Sequence, residues 1–282
     1  MTNCGAVFIY SVDLTEANAV FNLVKSVYNS EMLVYETGVS GSFGTTVAAE
    51  LVGTSTLWVL AGDPNFCSFG LYVCETTGLD NNCGAASSVA TFYMPSIENQ
   101  VGSFGATIAI ANGGGIIAVG DVKYQAVYVY YCVNQNLCEL KTKIIDSTTD
   151  NAGLSIAFGD NYLVVGSAGD GMVFVHDCSS TVSCGNAPIA TIIPDDSISL
   201  VNETAGFGTT VYVKNNVLTV LSTYDSRAGD VQAAFVFACD NITASLTCTQ
   251  LAYLPGPADL ELETGQGSRL LFFKNKANVL FR

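Results

Sequence analysis

The stretch that decides the fold reads Gly153-Leu154-Ser155-Ile156-Ala157, then Tyr162-Leu163-Val164-Val165-Gly166-Ser167-Ala168, then Gly171-Met172-Val173-Phe174-Val175-His176-Asp177-Cys178. It contains three short apolar segments bounded by Gly, Asp or Asn. Such segments are typical of short buried β-strands separated by tight turns. The stretch therefore predicts three consecutive strands, after which a second cysteine, Cys184, follows closely.

The same order of elements recurs along the 282 residues of the chain. The first strands begin at Gly44, Gly105, Gly153, Gly208 and, in a less regular copy, Gly267. Phenylalanine precedes three of these glycines, as Phe43, Phe104 and Phe207. Repeats of about 56 residues that each hold several short strands predict the blades of a β-propeller.

The third strand of each repeat has the sharpest pattern, because aliphatic and aromatic residues alternate in it. It lies at residues 7–10, 71–73, 127–130, 173–176 and 234–237. This alternation suits a strand buried between neighbouring blades. Residues 15–28 have apolar residues at helical spacing, but the repeat pattern places a fourth strand there, and we follow the repeat pattern.

The ends of the chain determine the predicted number of blades. Third and fourth strands fall within residues 1–35, and first and second strands within residues 265–282. Their pairing would build one composite blade and would protect free sheet edges. With blades at about 40–97, 101–147, 151–196 and 204–256, we expect one all-β domain, a propeller of five closed, four-stranded antiparallel blades. The alternative is a fragment of a larger propeller, for example one of seven blades.

The composition excludes several classes of partner. The net charge is −15, and only 12% of residues are charged. An acidic surface repels phosphate groups, so nucleic acid and anionic membranes are poor partners. No apolar stretch reaches the roughly 18 residues of a membrane-spanning helix, so this segment is not expected to span a membrane.

Cysteine usage indicates an oxidising compartment. Eight of the ten cysteines form close pairs: Cys74 with Cys83, Cys132 with Cys138, Cys178 with Cys184, and Cys239 with Cys248. Because the chain has one histidine and lacks tight Cys-x-x-Cys spacing, disulfides fit better than zinc. Cys4 and Cys67 are left over, and a bond between neighbouring blades is one option for them.

Two glycosylation sequons, at Asn202 and Asn241, also indicate an extracellular or cell-surface glycoprotein. The N-terminal residues Met1-Thr2-Asn3-Cys4 do not form a signal peptide. Either the export signal lies outside this segment or Met1 is not the natural start.

Phe-Gly before the first strand and a Gly-Ala-Pro-like end to the second resemble the FG-GAP repeats of integrin α-subunit propellers. The second half of the motif is present as Ala61-Gly62-Asp63-Pro64, Val119-Gly120-Asp121 and Val165-Gly166-Ser167-Ala168. The resemblance implies calcium in the loops between first and second strands. Those loops, at residues 53–56, 112–115, 159–161 and 214–216, lack the several oxygen ligands that calcium needs, so no metal or other cofactor is expected.

The loops between second and third strands contain the candidate ligand-binding residues. They are Asp63, Asp121, Asp170 and Asp225, with Tyr124 and Arg227 nearby. The resemblance implies that this face binds ligand, although Asp is also an ordinary turn residue. His176, the one histidine, occupies an aromatic position of the repeat, and we interpret it as a packing residue.

These features favour a secreted binding module over an enzyme. The expected function is an integrin-like propeller that presents loops to a protein or glycan ligand in cell adhesion or surface assembly. One alternative is a propeller glycosidase or lyase in which Asp63, Asp121 and Asp170 converge, since such enzymes need paired carboxylates. Another is a purely structural surface component.

Overall fold

The computed structural model describes residues 6–13, 20–28, 42–75, 90–95, 103–111, 113–145, 152–180, 183–194, 206–214, 216–225, 231–240, 246–255, 271–273 and 276–278. Four antiparallel sheets of four strands each are arranged as the blades of a β-propeller. In every sheet the strands lie in chain order. This confirms the all-β class and the four-stranded blades.

We number these blades second to fifth, after the repeats. The second contains β3 (Val47–Val52), β4 (Thr56–Asp63), β5 (Ser68–Glu75) and β6 (Ala90–Tyr93). The third contains β7 (Phe104–Ala111), β8 (Ile116–Asp121), β9 (Ala126–Asn134) and β10 (Leu137–Ile145). The fourth contains β11 (Ala152–Phe158), β12 (Tyr162–Ser167), β13 (Met172–Asp177) and β14 (Ala190–Ile192). The fifth contains β15 (Phe207–Lys214), β16 (Val217–Asp225), β17 (Val231–Asp240) and β18 (Thr247–Pro255).

Two shorter sheets lie near the chain ends. The first pairs β1 (Ala6–Asp13) with β2 (Val20–Tyr28), and the other pairs β19 (Leu271–Phe273) with β20 (Lys276–Asn278). The strand predicted from the repeat pattern within residues 15–28 is confirmed as β2, because pairing with β1 prevails over the helical spacing. Each pair is a separate two-stranded sheet within the described residues. The composite blade and the five-blade closure stay predictions.

The chain divides into two compact units. One comprises Met1–Tyr124 with Tyr130–Leu140, and the other comprises Gln125–Val129 with Lys141–Arg282. The organisation as a single domain stays a prediction.

The Phe-Gly pairs mark a backbone irregularity at the start of the first strands. Gly44, Gly105 and Gly208 have φ angles of 79°, 91° and 93°, a region that favours glycine. In the third blade, Phe104 pairs with Asp121 but Thr107 pairs with Gly120, so the register shifts at the glycine. The resulting bulge lets the phenylalanine side chain enter the core while the strand continues.

Glycines at the ends of the second strands allow neighbouring blades to approach closely. A Cβ on Gly62 would lie 2.1 Å from the carbonyl oxygen of Gly105 in the next blade. A Cβ on Gly166 would lie 2.0 Å from the same atom of Gly208. The glycine at the end of the second strand of one blade therefore contacts the backbone of the Phe-Gly glycine of the next blade.

Aromatic side chains fill the core of the first unit. Phe104 lies 5.9 Å from Phe69 between ring centroids, and Phe69 stacks on Phe92 at 4.6 Å. In the second unit, Phe207 contacts Phe235 edge to face at 5.1 Å. Burial of these rings is the largest stabilising contribution of the Phe-Gly motif.

Disulfides lie at the connection between the third and fourth strands of three blades. Two of them join the strands themselves, and Cys178–Cys184 closes a ring within the loop between β13 and β14. Cys132–Cys138, Cys178–Cys184 and Cys239–Cys248 have Cα–Cα distances of 3.9, 4.2 and 4.0 Å. Cys74 is also disulfide-bonded, but Cys83 lies outside the described residues, so that pair stays a prediction. Cys67 is a buried thiol, which does not support a bond to Cys4, itself outside the described residues.

Candidate ligand-binding turns

The second strands of the second and third blades each end in a buried aspartate. Asp63 closes β4 with a side chain that is 1% exposed, and Asp121 closes β8 with one that is 0% exposed. Carboxylates are buried at this level only where hydrogen bonds compensate for the lost water. The two aspartates therefore belong to the interior of their turns.

In the third blade, Asp121 and Ser103 fix the turn after β8. The Ser103 hydroxyl donates to Oδ1 of Asp121 at 2.9 Å, and the Ser103 amide donates to the same oxygen at 3.1 Å. The amide of Lys123 donates to the Ser103 hydroxyl at 2.8 Å, and that of Tyr124 donates to Oδ1 of Asp121 at 3.3 Å. The backbone amides of two consecutive turn residues, Lys123 and Tyr124, are thus hydrogen-bonded to these side chains.

The second blade repeats this arrangement with different side chains on the outside. The Ser42 hydroxyl donates to Oδ1 of Asp63 at 2.9 Å, and the amide of Asn65 donates to the Ser42 hydroxyl at 2.8 Å. The turn itself is a single 3-10 turn at Pro64–Phe66. We call this pattern of one serine, one aspartate and the amide two residues later the Ser–Asp bracket.

Each Ser–Asp bracket leaves a polar residue and an aromatic residue at the outside of its turn. In the third blade, Lys123 is exposed and the Tyr124 side chain is 40% exposed. In the second blade, Asn65 is exposed and Phe66 is half-buried. The backbone of both turns is fixed, while the side chains most suited to ligand contact face outward.

The other predicted residues are placed differently. Asp170 is half-buried in the fourth blade, and its Oδ2 accepts a hydrogen bond from the Ser167 hydroxyl at 2.9 Å. Asp225 ends β16, and its side chain is not described. Arg227 lies outside the described residues, as do the sequon residues Asn202 and Asn241.

The structure buries Asp63 and Asp121. A ligand would reach their neighbours Asn65, Lys123 and Tyr124 first, and a direct role of the two aspartates in ligand binding stays a prediction. Sequence reasoning missed Ser42 and Ser103. The signal was the tripeptide Ser-Phe-Gly, present at residues 42–44 and 103–105 and absent from the fourth and fifth repeats.

His176 is a packing residue, in agreement with the repeat pattern. Its side chain is 3% exposed, and the residue pairs with Leu163 of the neighbouring strand. The ring nitrogen Nδ1 lies 3.1 Å from the carbonyl oxygen of Gly185 and donates to it. The histidine thereby helps to fix the loop that follows the Cys178–Cys184 disulfide.

Within the part of the chain that the structure describes, no group of three or more His, Cys, Asp or Glu side chains is arranged to hold a metal ion. Over the same residues, no helix is long and apolar enough to cross a membrane.

Comparisons with known proteins support the fold. No family model matches the chain, and no curated protein matches it. Among solved structures, a candidate 6-phosphogluconolactonase from Bacteroides fragilis is similar with a TM-score of 0.58 and 12% identity, over 90% of this chain and 66% of that one.

Two further solved structures are similar to a comparable degree. A candidate 6-phosphogluconolactonase from Bacteroides uniformis has a TM-score of 0.53 and 10% identity, over 88% of this chain and 65% of that one. A protein of unknown function from Desulfotomaculum acetoxidans has a TM-score of 0.53 and 13% identity, over 89% and 64%. The chain thus spans just under two thirds of the length of these structures. At such identities they show a shared β-propeller architecture, and membership of the FG-GAP family is not shown.

Proposed function

We propose that the chain is an extracellular or cell-surface binding module, an integrin-like β-propeller that contacts a protein or glycan ligand in adhesion or surface assembly. Its contact residues are those outside the Ser–Asp brackets, above all Lys123 and Tyr124. The observation that supports this most directly is the hydrogen-bonded turn at residues 121–124, which exposes an aromatic side chain beside a cation.

A turn fixed in this way is well suited to binding. Because the amides of Lys123 and Tyr124 already have acceptors, little backbone entropy is lost when a ligand arrives. Tyrosine combines a large apolar ring with a hydroxyl and is enriched among residues that dominate binding energies. Lys123 adds a cation that can meet a carboxylate or a sugar hydroxyl.

The disulfides support the location. The three pairs among the described residues lie in separate blades, each close in sequence. Such bonds persist in extracellular and other oxidising environments.

The buried carboxylates favour binding over glycan cleavage. Glycosidases place two carboxyl groups on either side of a scissile bond, where substrate reaches both. Asp63 and Asp121 instead lie at 1% and 0% exposure and use Oδ1 to hold serine hydroxyls. Their role in the proposed module is to shape the turns.

A binding screen with matched variants tests the proposal. The purified chain is applied to arrays of glycans and of cell-surface proteins, and the affinity for any ligand found is measured for Tyr124→Ala, Lys123→Ala and Val133→Ala. Val133 is 82% exposed at the other end of β9 and serves as control. We expect Tyr124→Ala to weaken binding at least about tenfold, Lys123→Ala several-fold, and Val133→Ala not at all. A screen without ligands, or equal affinities for all three variants, would refute the proposal.

A further inference from the structure

The two Ser–Asp brackets each present a polar residue followed by an aromatic one, and the two pairs correspond position for position. Asn65 and Lys123 both stand two residues after the buried aspartate, and the amide of each donates to the serine hydroxyl at 2.8 Å. Phe66 and Tyr124 follow directly. The same arrangement of hydrogen bonds therefore presents the same kind of contact pair twice, once in each blade.

A single tripeptide, Ser103-Phe104-Gly105, lies between the two turns. Its serine hydroxyl accepts the amide of Lys123 at 2.8 Å. Its glycine packs on the other turn, because a Cβ there would lie 3.4 Å from the amide nitrogen of Asp63 and 2.5 Å from the carbonyl oxygen of Ser68. Since three residues of extended chain span about 10 Å, the two turns are separated by a distance comparable to the length of a disaccharide.

Burial of Phe104 fixes this separation. Its side chain is 0% exposed, and its ring lies 5.9 Å from that of Phe69 between centroids. A ligand that is itself a linear repeat can place one unit on each pair, and the second contact then follows at a high effective concentration. Linear glycans have such repeats, and their rings offer an apolar face to an aromatic side chain and polar groups to its neighbour.

The two pairs differ in charge, which indicates what the ligand carries. Neither turn exposes a carboxylate, because Asp63 and Asp121 are 1% and 0% exposed. Lys123 is exposed, whereas the corresponding residue Asn65 is neutral. The net charge of the chain is −15, but exposed charges farther away than the Debye length of about 8 Å at physiological salt are largely screened. The turn of the third blade therefore favours a unit with a carboxylate, and that of the second blade does not require charge.

We infer that the two turns together bind a linear, sparsely charged glycan that contains carboxylate-bearing sugars. One acidic sugar lies against Tyr124 with its carboxylate at Lys123, and a second sugar of the same chain contacts Asn65 and Phe66. A densely sulfated glycan is a poorer ligand, because its further anions meet an acidic protein. This inference rests on the proposed function and specifies its ligand.

Hyaluronan oligosaccharides, which alternate glucuronic acid with N-acetylglucosamine, test the charge requirement. Titration calorimetry measures the affinity for the tetrasaccharide and for the same compound with its carboxyl groups reduced to alcohols. Carboxyl reduction should weaken binding to the unmodified protein about fivefold, as expected for one exposed ion pair, and should not change the affinity of Lys123→Asn. Equal affinities of the unmodified protein for both compounds, or tighter binding of a heparin tetrasaccharide, would overturn the inference.

The length of the oligosaccharide tests whether both turns contribute. Asn65→Ala keeps its turn, since the bracket uses the backbone amide of residue 65. It should weaken the tetrasaccharide about threefold or more and leave the disaccharide unaffected, because only the longer ligand reaches both turns. Val133→Ala, 82% exposed, should change neither affinity. Equal effects of Asn65→Ala on both lengths, or none on either, would overturn the two-turn surface.

Failure of this inference is distinguishable from failure of the proposed function. If no hyaluronan oligosaccharide binds while Tyr124→Ala weakens another ligand from the arrays, the glycan class is wrong and the binding module remains. If Tyr124→Ala weakens no ligand at all, both are refuted.

Discussion

At the scale of single residues, Asp121 shows how a buried charge can be structural. Its Oδ1 accepts three hydrogen bonds, two of them from Ser103. Its Oδ2 is buried and has no hydrogen-bond partner among the described residues. The hydrogen bonds that Asp121 accepts in the turn before Tyr124 therefore all end on Oδ1. Substitutions of Asp121 can distinguish the role of this acceptor oxygen from the role of the negative charge.

We predict that Asp121→Ala lowers the free energy of unfolding by about 2–3 kcal/mol, since it leaves the Ser103 and Tyr124 donors without their acceptor. Asp121→Asn should cost less, because its carbonyl oxygen can replace Oδ1. Urea unfolding followed by the fluorescence of Trp58, the single tryptophan, measures both losses. Equal losses would indicate that the charge, and not the acceptor, stabilises the turn.

In contrast to the Asp121 carboxylate, the Tyr162 hydroxyl is a buried polar group whose hydrogen bonding contributes little to the free energy of unfolding. Its hydroxyl is buried and has no hydrogen-bond partner among the described residues. Burial, with a smaller contribution from the Asp160 carboxylate, raises the pKa of Tyr162 above its ordinary value. In the unfolded chain the phenol ionises near pH 10, whereas in the folded chain it stays neutral to higher pH. Its contribution to stability is therefore complete below about pH 10 and is lost as the pH rises through the folded pKa.

We predict that Tyr162→Phe leaves stability at pH 8 unchanged or raises it by up to about 1 kcal/mol, because no hydrogen bond is lost. Between about pH 9 and pH 11 the variant should lose less stability than the unmodified protein, since it has no phenol to ionise on unfolding. Guanidinium unfolding at both ends of this range tests both statements. A loss above about 1 kcal/mol at pH 8 would reveal that the hydroxyl has a partner after all.

At the scale of elements, the contact between glycines of consecutive blades explains why the repeat has its sequence. Gly166 leaves no room for a side chain because the Gly208 carbonyl oxygen occupies that place. Gly208 in turn needs its positive φ. Both glycines are local signals of a contact between blades, which is why the repeat could be recognised without any structure.

We predict that Gly166→Ala and Gly62→Ala each destabilise the protein by about 3 kcal/mol or more, because a methyl group would overlap a backbone carbonyl and separate two strands. Gly185→Ala is the matched control, since the nearest atoms lie 3.7 Å from its Cβ. The control should change stability by less than about 0.5 kcal/mol. Comparable thermal shifts for all three variants would contradict the proposed role of the blade contact.

Prediction from sequence succeeded where the determinants are local. The Phe-Gly glycines, the alternating third strands and the closely spaced cysteines are short patterns, and they indicated the strands and three disulfides correctly. It did not indicate that Asp63 and Asp121 are buried, because their hydrogen bonds come from serines about 20 residues earlier in the chain. The local sequence around a turn aspartate does not distinguish a carboxylate exposed to solvent from one hydrogen-bonded inside its own blade.

At the scale of the whole molecule, the low charge content and the short disulfide-closed rings both determine how the fold is stabilised. Only 12% of residues are charged, and the net charge of −15 destabilises any compact state through repulsion. Surface ion pairs can therefore contribute little, and stability depends on apolar burial within the blades and on the disulfides between or beside their third and fourth strands. These bonds connect residues six to nine positions apart.

Reduction of the disulfides should consequently weaken the protein greatly. In the chain-entropy account a ring of this size contributes about 2 kcal/mol. The three rings among the described residues together approach about 6 kcal/mol, comparable to the total stability of many domains. We predict that dithiothreitol shifts the urea midpoint strongly downward, as circular dichroism would show. The double variant Cys132→Ser/Cys138→Ser, kept oxidised, should lose only about 2 kcal/mol, because the other rings remain. An unchanged midpoint after complete reduction, verified by thiol titration, would mean that blade packing alone holds the fold, and it would remove the main argument for an oxidising compartment.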